Sequence, residues 1–290
     1  MRAMDAITDF CMKLEDRKIE VNKFMVSGAS KRGWTTWLTA AVDQRVVAIA
    51  PMVFDVLNME PSMEHHFNAY GEYSSALSPY VENGILEALH TPRSQTSLEI
   101  IDPYSYRQHL KMPKVIINST GDQFFLPDSS KFYYNDLREP KYLRYIPNTH
   151  HNLDYSVGET LRSFYASILA DKPLPEYSWQ IPETGRMIVY VRDKPLEVKL
   201  WQALNPRTRD FRLETIGGAW KSSVLEPTRK AEDGLYYEVE MKLPQKGWIA
   251  FLVELTFPDP VREGQKLTFT TEVSVVPDTL PYEKNERSDK

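Results

Sequence analysis

The sequence predicts an α/β fold followed by an all-β region, and three observations carry that prediction. Short, wholly apolar runs alternate with helical periodicities through residue 169. A long stretch rich in Tyr, Met, His and Pro, at about 57–110, interrupts them and reads as a helical cap insertion. Beyond Asp171-Lys172-Pro173-Leu174-Pro175 the pattern changes to alternation of period two, the mark of strands with one wet face.

Taken in order, residues 2–16 form a helix. Ala3, Met4, Ile7, Phe10, Cys11 and Leu14 make one apolar stripe. Cys11 is the only cysteine, so no intrachain disulfide is possible, and its place on the stripe reads as a small buried hydrophobe. A polar connection, Glu15 to Asn22, leads to Phe24-Met25-Val26, a buried strand. Trp34, Trp37, Leu38 and Ala41 then repeat at helical spacing. Further buried strands follow at 45–53, 113–118 and 142–146, and a last helix carries Val157, Leu161, Phe164, Ile168 and Leu169. Strands alternating with helices imply a parallel sheet covered on both faces. In the second half, runs at 186–192, 196–202, 235–243, 248–257 and 267–276 suggest an Ig-like β-sandwich. The domains expected are 1–177 and 178–282, with a charged, disordered tail at 283–290.

Composition narrows the partners. A net charge of -5 argues against nucleic acid, which needs a basic surface. No apolar run reaches the roughly 20 residues that span a bilayer. The start, MRAMDAITDF, lacks the layout of a signal peptide. Oligomeric state is not legible.

The chemistry starts at Val26-Ser27-Gly28-Ala29-Ser30-Lys31-Arg32-Gly33-Trp34, a strand, a sharp turn and a helix with Ser30 at the turn. A serine hydroxyl becomes a nucleophile when a base takes its proton and a third group orients that base. In α/β-hydrolase-like sheets these groups occur in the order Ser, acid, His, each just past a strand. Ser30 follows the first strand here, Asp122 the third and His151 the fourth. Gly28 gives the turn room, and Gly33 lets the helix pack close to the sheet. The Lys31 backbone N–H, at the helix start, is the oxyanion donor that can be named.

Simpler roles exist for each residue. Ser30 could be a helix N-cap, and Asp122 a turn aspartate. Asp55, past the second strand, is the alternative acid, and His150 the alternative base. Lys31 and Arg32 oppose the helix dipole, so one of them pairs with a carboxylate or attracts an anionic substrate, or both reach into solvent. His65 and His66 beside Glu64 invite a metal reading. Adjacent side chains diverge, however, and no third ligand stands at a recognisable spacing, so they read as cap-surface residues and no cofactor is expected. Tyr70, Tyr73 and Tyr80 read as packing within the cap. Trp201, Trp220 and Trp248 read as buried between sheets rather than as a carbohydrate-stacking face.

Gly28 to Trp37, Asp43 to Pro51, Thr120-Gly121-Asp122-Gln123-Phe124-Phe125-Leu126-Pro127-Asp128 and Val276 to Pro281 closely resemble the PhoPQ-activated pathogenicity-related proteins. That resemblance implies an α/β-hydrolase domain with a cap and a C-terminal β-sandwich, usually in exported bacterial proteins. It implies a serine hydrolase with Ser30, Asp122 and His151 at the matching positions. The elbow, with its glycine at the third place after the serine, is also similar to that of glucuronoyl esterases. His150 stands where a glycine is expected before the base. A full α/β-hydrolase has several strands before the nucleophile strand, and this chain has one helix there. The resemblance thus suggests the C-terminal portion of a longer protein, with an open sheet edge and without the loop that donates the second oxyanion N–H. The leading expectation is a serine hydrolase of small-molecule ester or peptide substrates. The alternatives are a binding or signalling protein on the same scaffold, and a remnant that does not fold alone.

Overall fold

The computed structural model describes residues 1–14 and 19–283. The end of the expected first helix and the tail at 284–290 lie outside the described residues. The first region runs α1 (Arg2–Met12), β1 (Phe24–Ala29), α2 (Lys31–Val42), β2 (Val46–Met52), α3 (Met59–Tyr70), α4 (Ser78–Glu82), α5 (Pro92–Ile101), β3 (Lys114–Ser119), β4 (Lys141–Ile146) and α6 (Ser156–Leu169). The four strands pair in parallel in sequence order. Every residue of β3 is buried, as an inner strand covered on both faces requires. The stretch between β2 and β3 is helical.

A β-rich region follows: β5 (Tyr177–Glu183), β6 (Arg186–Val191), β7 (Glu197–Asn205), α7 (Leu213–Ile216), β8 (Lys221–Val224), β9 (Arg229–Ala231), β10 (Gly234–Glu240), β11 (Trp248–Pro258), β12 (Lys266–Thr270) and β13 (Ser274–Val276). The strands β5, β6, β10 and β9 form a four-stranded antiparallel sheet. The others continue the parallel sheet, in the order β1-β2-β3-β4-β12-β11-β7-β8, with β13 beside β11. The seam between the two regions is narrow. Thr270 of β12 lies opposite Leu143 of β4, and the Tyr145 N–H donates to Thr270 Oγ1 at 2.9 Å.

Period-two alternation carries one core through each face of this shared sheet. Ile49, Ile116 and Leu143 meet Trp37 on one face, together with Ala250 and Leu252 of β11. Ala48, Val115 and Ile117 meet Phe164 on the other, together with Phe251 and Val253. The four-stranded sheet closes that second face through Met187, Val189, Tyr237 and Val239. The buried pair Arg144 Nη1–Glu254 Oε2, 2.6 Å, ties β4 to β11 across the seam.

The expected burial of α1 is corrected. Only Met4 of its stripe is buried; Phe10 is 65% exposed, Ile7 is exposed and Cys11 half-buried. Among the described residues β1 is the edge strand, and no strand beyond it covers the stripe. The helix is held by Thr8 Oγ1 donating to the Val21 carbonyl, 2.6 Å, and by Arg45–Asp5, 2.8 Å.

Candidate active site

Parallel register brings four loops to one edge. Ala29 lies beside Met52, Met52 beside Ile117, and Ser119 beside Ile146, so Ser30, Asp55, Asp122 and His151 all leave the sheet from its carboxyl side.

Ser30 has φ 57° and ψ -127°, a backbone state that costs a non-glycine residue about 1–3 kcal/mol. Its N–H donates to the Met52 carbonyl at 2.9 Å, which fixes the turn. Its hydroxyl makes no capping bond to α2, so helix capping does not occupy it. The glycines explain how the turn fits. A Cβ on Gly28 would stand 2.7 Å from Arg32 Cβ, and one on Gly33 2.9 Å from the Met52 carbonyl oxygen. Lys31 opens α2 ahead of the first intrahelical bond, from the Trp34 N–H to the Ser30 carbonyl. The side chains of Lys31 and Arg32 are exposed and make no ion pair among the described residues.

Asp122 is buried, and both of its oxygens are engaged. Oδ1 accepts from the Phe124 N–H at 2.7 Å, and Oδ2 lies 2.8 Å from His151 Nδ1. A carboxylate only accepts, so Nδ1 is the donor in this pair, and a neutral ring held this way carries its lone pair on Nε2. Nε2 is buried and has no hydrogen-bond partner among the described residues. The His151 main chain is also held, its N–H donating to Gln123 Oε1 at 3.2 Å. The His150 ring lies outside this pair: Nδ1 accepts from the Asn152 N–H at 3.1 Å and the residue is exposed.

Asp55 makes different bonds. It is buried, with Tyr133 Oη donating to Oδ1 and Tyr145 Oη to Oδ2, each at 2.6 Å. Burial pushes its carboxyl up from 3.8 to about 7 against the pull of the two tyrosine hydroxyls. Neither of its oxygens is bonded to a histidine among the described residues.

Aromatic rings connect the serine helix with His151. Trp34 stacks on Phe54 at 5.3 Å, Phe54 meets Phe125 edge-on at 6.2 Å, and Phe124 lies 4.3 Å from the His151 ring. Sequence reasoning did not assign these rings to the site, although Phe124 and Phe125 flank Asp122 in the chain.

His65 and His66 are not on the cap surface; both are buried. His65 Nε2 sits 3.1 Å from Asp128, whose carboxylate also takes the Arg209 guanidinium at 2.7 Å and Lys131 at 3.1 Å. His66 Nε2 accepts from the Ser74 N–H, and burial together with Arg212 and His65 depresses its pKa from 6.5 to about 3. Adjacent histidines do diverge, but each finds a polar partner inside the protein. No group of three His, Cys, Asp or Glu among the described residues is arranged to hold a metal. Tyr70 packs half-buried and edge-on against His66, and Trp220 lies in the core, while Trp201 and Trp248 pack half-buried against it. No described helix is long and apolar enough to cross a membrane.

The strand order, the turn at Ser30 and the helices around the parallel sheet define an α/β-hydrolase fold with a β-rich region attached. The chain belongs to the PhoPQ-activated pathogenicity-related protein family, whose model matches residues 1–212. It is 35% identical, over 97% of its length, to autocrine proliferation repressor protein A of Dictyostelium discoideum, and spans 61% of that relative. Among solved structures it is similar to acetyl xylan esterase 1 from Thermoanaerobacterium, with 18% identity, a TM-score of 0.39, 56% of this chain and 50% of that one. It is also similar to a puromycin-hydrolyzing peptidase of Mycobacterium tuberculosis, with 15% identity, a TM-score of 0.44, 57% of this chain and 24% of the other.

Proposed function

We propose that this chain carries the catalytic centre of a serine hydrolase that cleaves ester or peptide bonds through an acyl-enzyme at Ser30. The observation that supports it most is the 2.8 Å contact of His151 Nδ1 with Asp122, which leaves Nε2 as an unoccupied base. In this mechanism Ser30 Oγ attacks the substrate carbonyl carbon while Nε2 takes the hydroxyl proton. The carbonyl oxygen becomes an oxyanion, met by the Lys31 N–H at the start of α2. Collapse breaks the bond to the leaving group, which departs with the proton from Nε2 and leaves Ser30 acylated. Water, deprotonated by the same nitrogen, then attacks the acyl carbon, and Ser30 leaves with its proton restored. Asp122 holds the imidazole in the tautomer this sequence needs and stabilises the imidazolium.

A fluorophosphonate probe tests the reading. Labelling at Ser30 in the parent, absent in Ser30→Ala, is expected; an unlabelled parent would refute an active nucleophile. Hydrolysis of short acyl esters but not of dipeptide amides would place the substrate among esters.

A second reading is a binding or signalling protein that uses the scaffold without turnover. It is favoured by the 35% identical relative whose name is that of a proliferation repressor. Under this reading Ser30→Ala keeps the biological effect, whereas the first requires its loss.

A further inference from the structure

The connection between β7 and β8, residues 206–220, lies far in sequence from the candidate site, yet it bonds to both of the loops that carry the acid and the base. The Leu213 N–H donates to the Gly121 carbonyl at 3.1 Å, one residue before Asp122. Trp220 is held by the Asn148 side chain through two bonds: its N–H donates to Oδ1 at 3.0 Å, and Nδ2 donates to its carbonyl at 2.9 Å. Asn148 stands three residues before His151 and has φ 58°, a state that asparagine tolerates. The buried Arg209 bonds Asp128 at the far end of the acid loop, 2.7 Å.

The two loops also bond each other at these points. The Gly121 N–H donates to the Thr149 carbonyl at 3.0 Å, and the Asn148 N–H to Thr120 Oγ1 at 3.1 Å. Gly121 is closed in on two sides. A Cβ there would come within 2.8 Å of both Leu213 N and the Thr149 carbonyl oxygen. The connection is itself anchored in the core by Phe211 and Trp220, so it is a rigid brace rather than a loose cover.

We propose that this connection is a positioning element for the Asp122–His151 pair, with Asn148 and the Trp220 backbone as its principal joint. The proposal rests on the reading of these two residues as acid and base. It makes this one connection of the β-rich region a support for the catalytic pair, and leaves the four-stranded sheet outside it. Without the joint, the His loop keeps its chain connection to β4 and its main-chain bonds to Thr120 and Gly121, but loses the brace that holds it from the other side. A displacement of about 1 Å in such a pair costs on the order of 100-fold in turnover.

The test uses the 290-residue chain. Asn148→Gly retains a residue suited to positive φ and removes both bonds to Trp220. Two measurements are made on it. The first is the downfield proton resonance of His151 Nδ1–H against Asp122, whose exchange with water should quicken at least tenfold. The second is turnover of a short acyl ester, with kcat expected to fall tenfold or more and KM to stay within twofold. Val189→Ala, in the four-stranded sheet, is the control: it lowers the melting temperature and leaves both readouts unchanged. If Asn148→Gly does not fold, Asn148→Asp keeps the acceptor but sets a carboxylate oxygen against the Trp220 carbonyl, and a change in the same direction is expected.

A resonance with parental exchange and a kcat within twofold of the parent would overturn the proposal. Equal changes in Val189→Ala would overturn it too, by reducing the effect to general destabilisation. A parent that neither labels at Ser30 nor hydrolyses esters defeats the hydrolase reading alone, because the exchange measurement still decides whether the brace fixes the pair.

Discussion

Replacing Asp55 by asparagine should make the protein more stable at pH 8 relative to pH 5, by an amount the structure lets us work out. The carboxyl is buried under two tyrosine hydroxyls and keeps its proton up to about pH 7 when folded, against 3.8 as the ordinary value. The unfolded chain releases that proton first, so stability falls as the pH rises from 3.8 through about 7. At 1.36 kcal/mol for each pH unit the loss comes to about 4 kcal/mol. His66 works in the opposite direction. Its pKa drops from 6.5 to about 3 on folding, so stability rises with pH across that range, by about 5 kcal/mol at most. The two slopes nearly cancel in the parent between pH 4 and 6.5, and Asp55→Asn uncovers the rising one. Urea unfolding of parent and variant at intervals from pH 4 to 8 measures this. The variant should gain about 4 kcal/mol on the parent between pH 4 and pH 8. A difference between the two that stays constant across the range would refute the reasoning, because it would mean that Asp55 is ionised in the folded protein throughout.

Other perturbations have equally direct readouts. Gly121→Ala forces a Cβ against two backbone atoms at 2.8 Å and should cost about 1–3 kcal/mol in denaturant unfolding. Glu254→Gln leaves the buried Arg144 without its countercharge and should cost about 3 kcal/mol, while Arg144→Met with Glu254→Leu should recover most of that loss in the same melts. Burial raises the Asp128 carboxyl, but Arg209, His65 and Lys131 outweigh it and hold it well below 3.8. Its stabilisation is therefore complete above 3.8 and is lost only as the pH falls below that, so acid titration of Asp128→Asn should show a shallower transition than the parent.

The parallel strands were legible because inner strands of such a sheet read as unbroken apolar runs, as β2 and β3 do. The order Ser30, Asp122, His151 was legible for the same reason, since each residue follows its run directly. What escaped were contacts between residues far apart in the chain. The buried state of His65 depends on Asp128 and on Arg209, and no local pattern near His65 announces either partner. The stripe on α1 shows the converse. Periodicity gives the helix its apolar side, but whether that side is covered depends on what lies past β1, which periodicity does not encode. The strand β5 was hidden by its composition. Its burial alternates between half-buried and exposed, and with Pro182 inside, it reads as the end of a linker.

The shared sheet has a consequence for building with this protein. A module joined by a linker can be exchanged for another without regard to what it was attached to. Here the second half supplies the strand next to β4, the residue opposite Leu143 and the partner of Arg144. A graft would therefore have to bring a strand of matching register, an acceptor at the place of Thr270 and a carboxylate at the place of Glu254. Cutting at 177 would expose Leu143 and strand Arg144, so the first half should be expressed together with the second or redesigned along that whole edge.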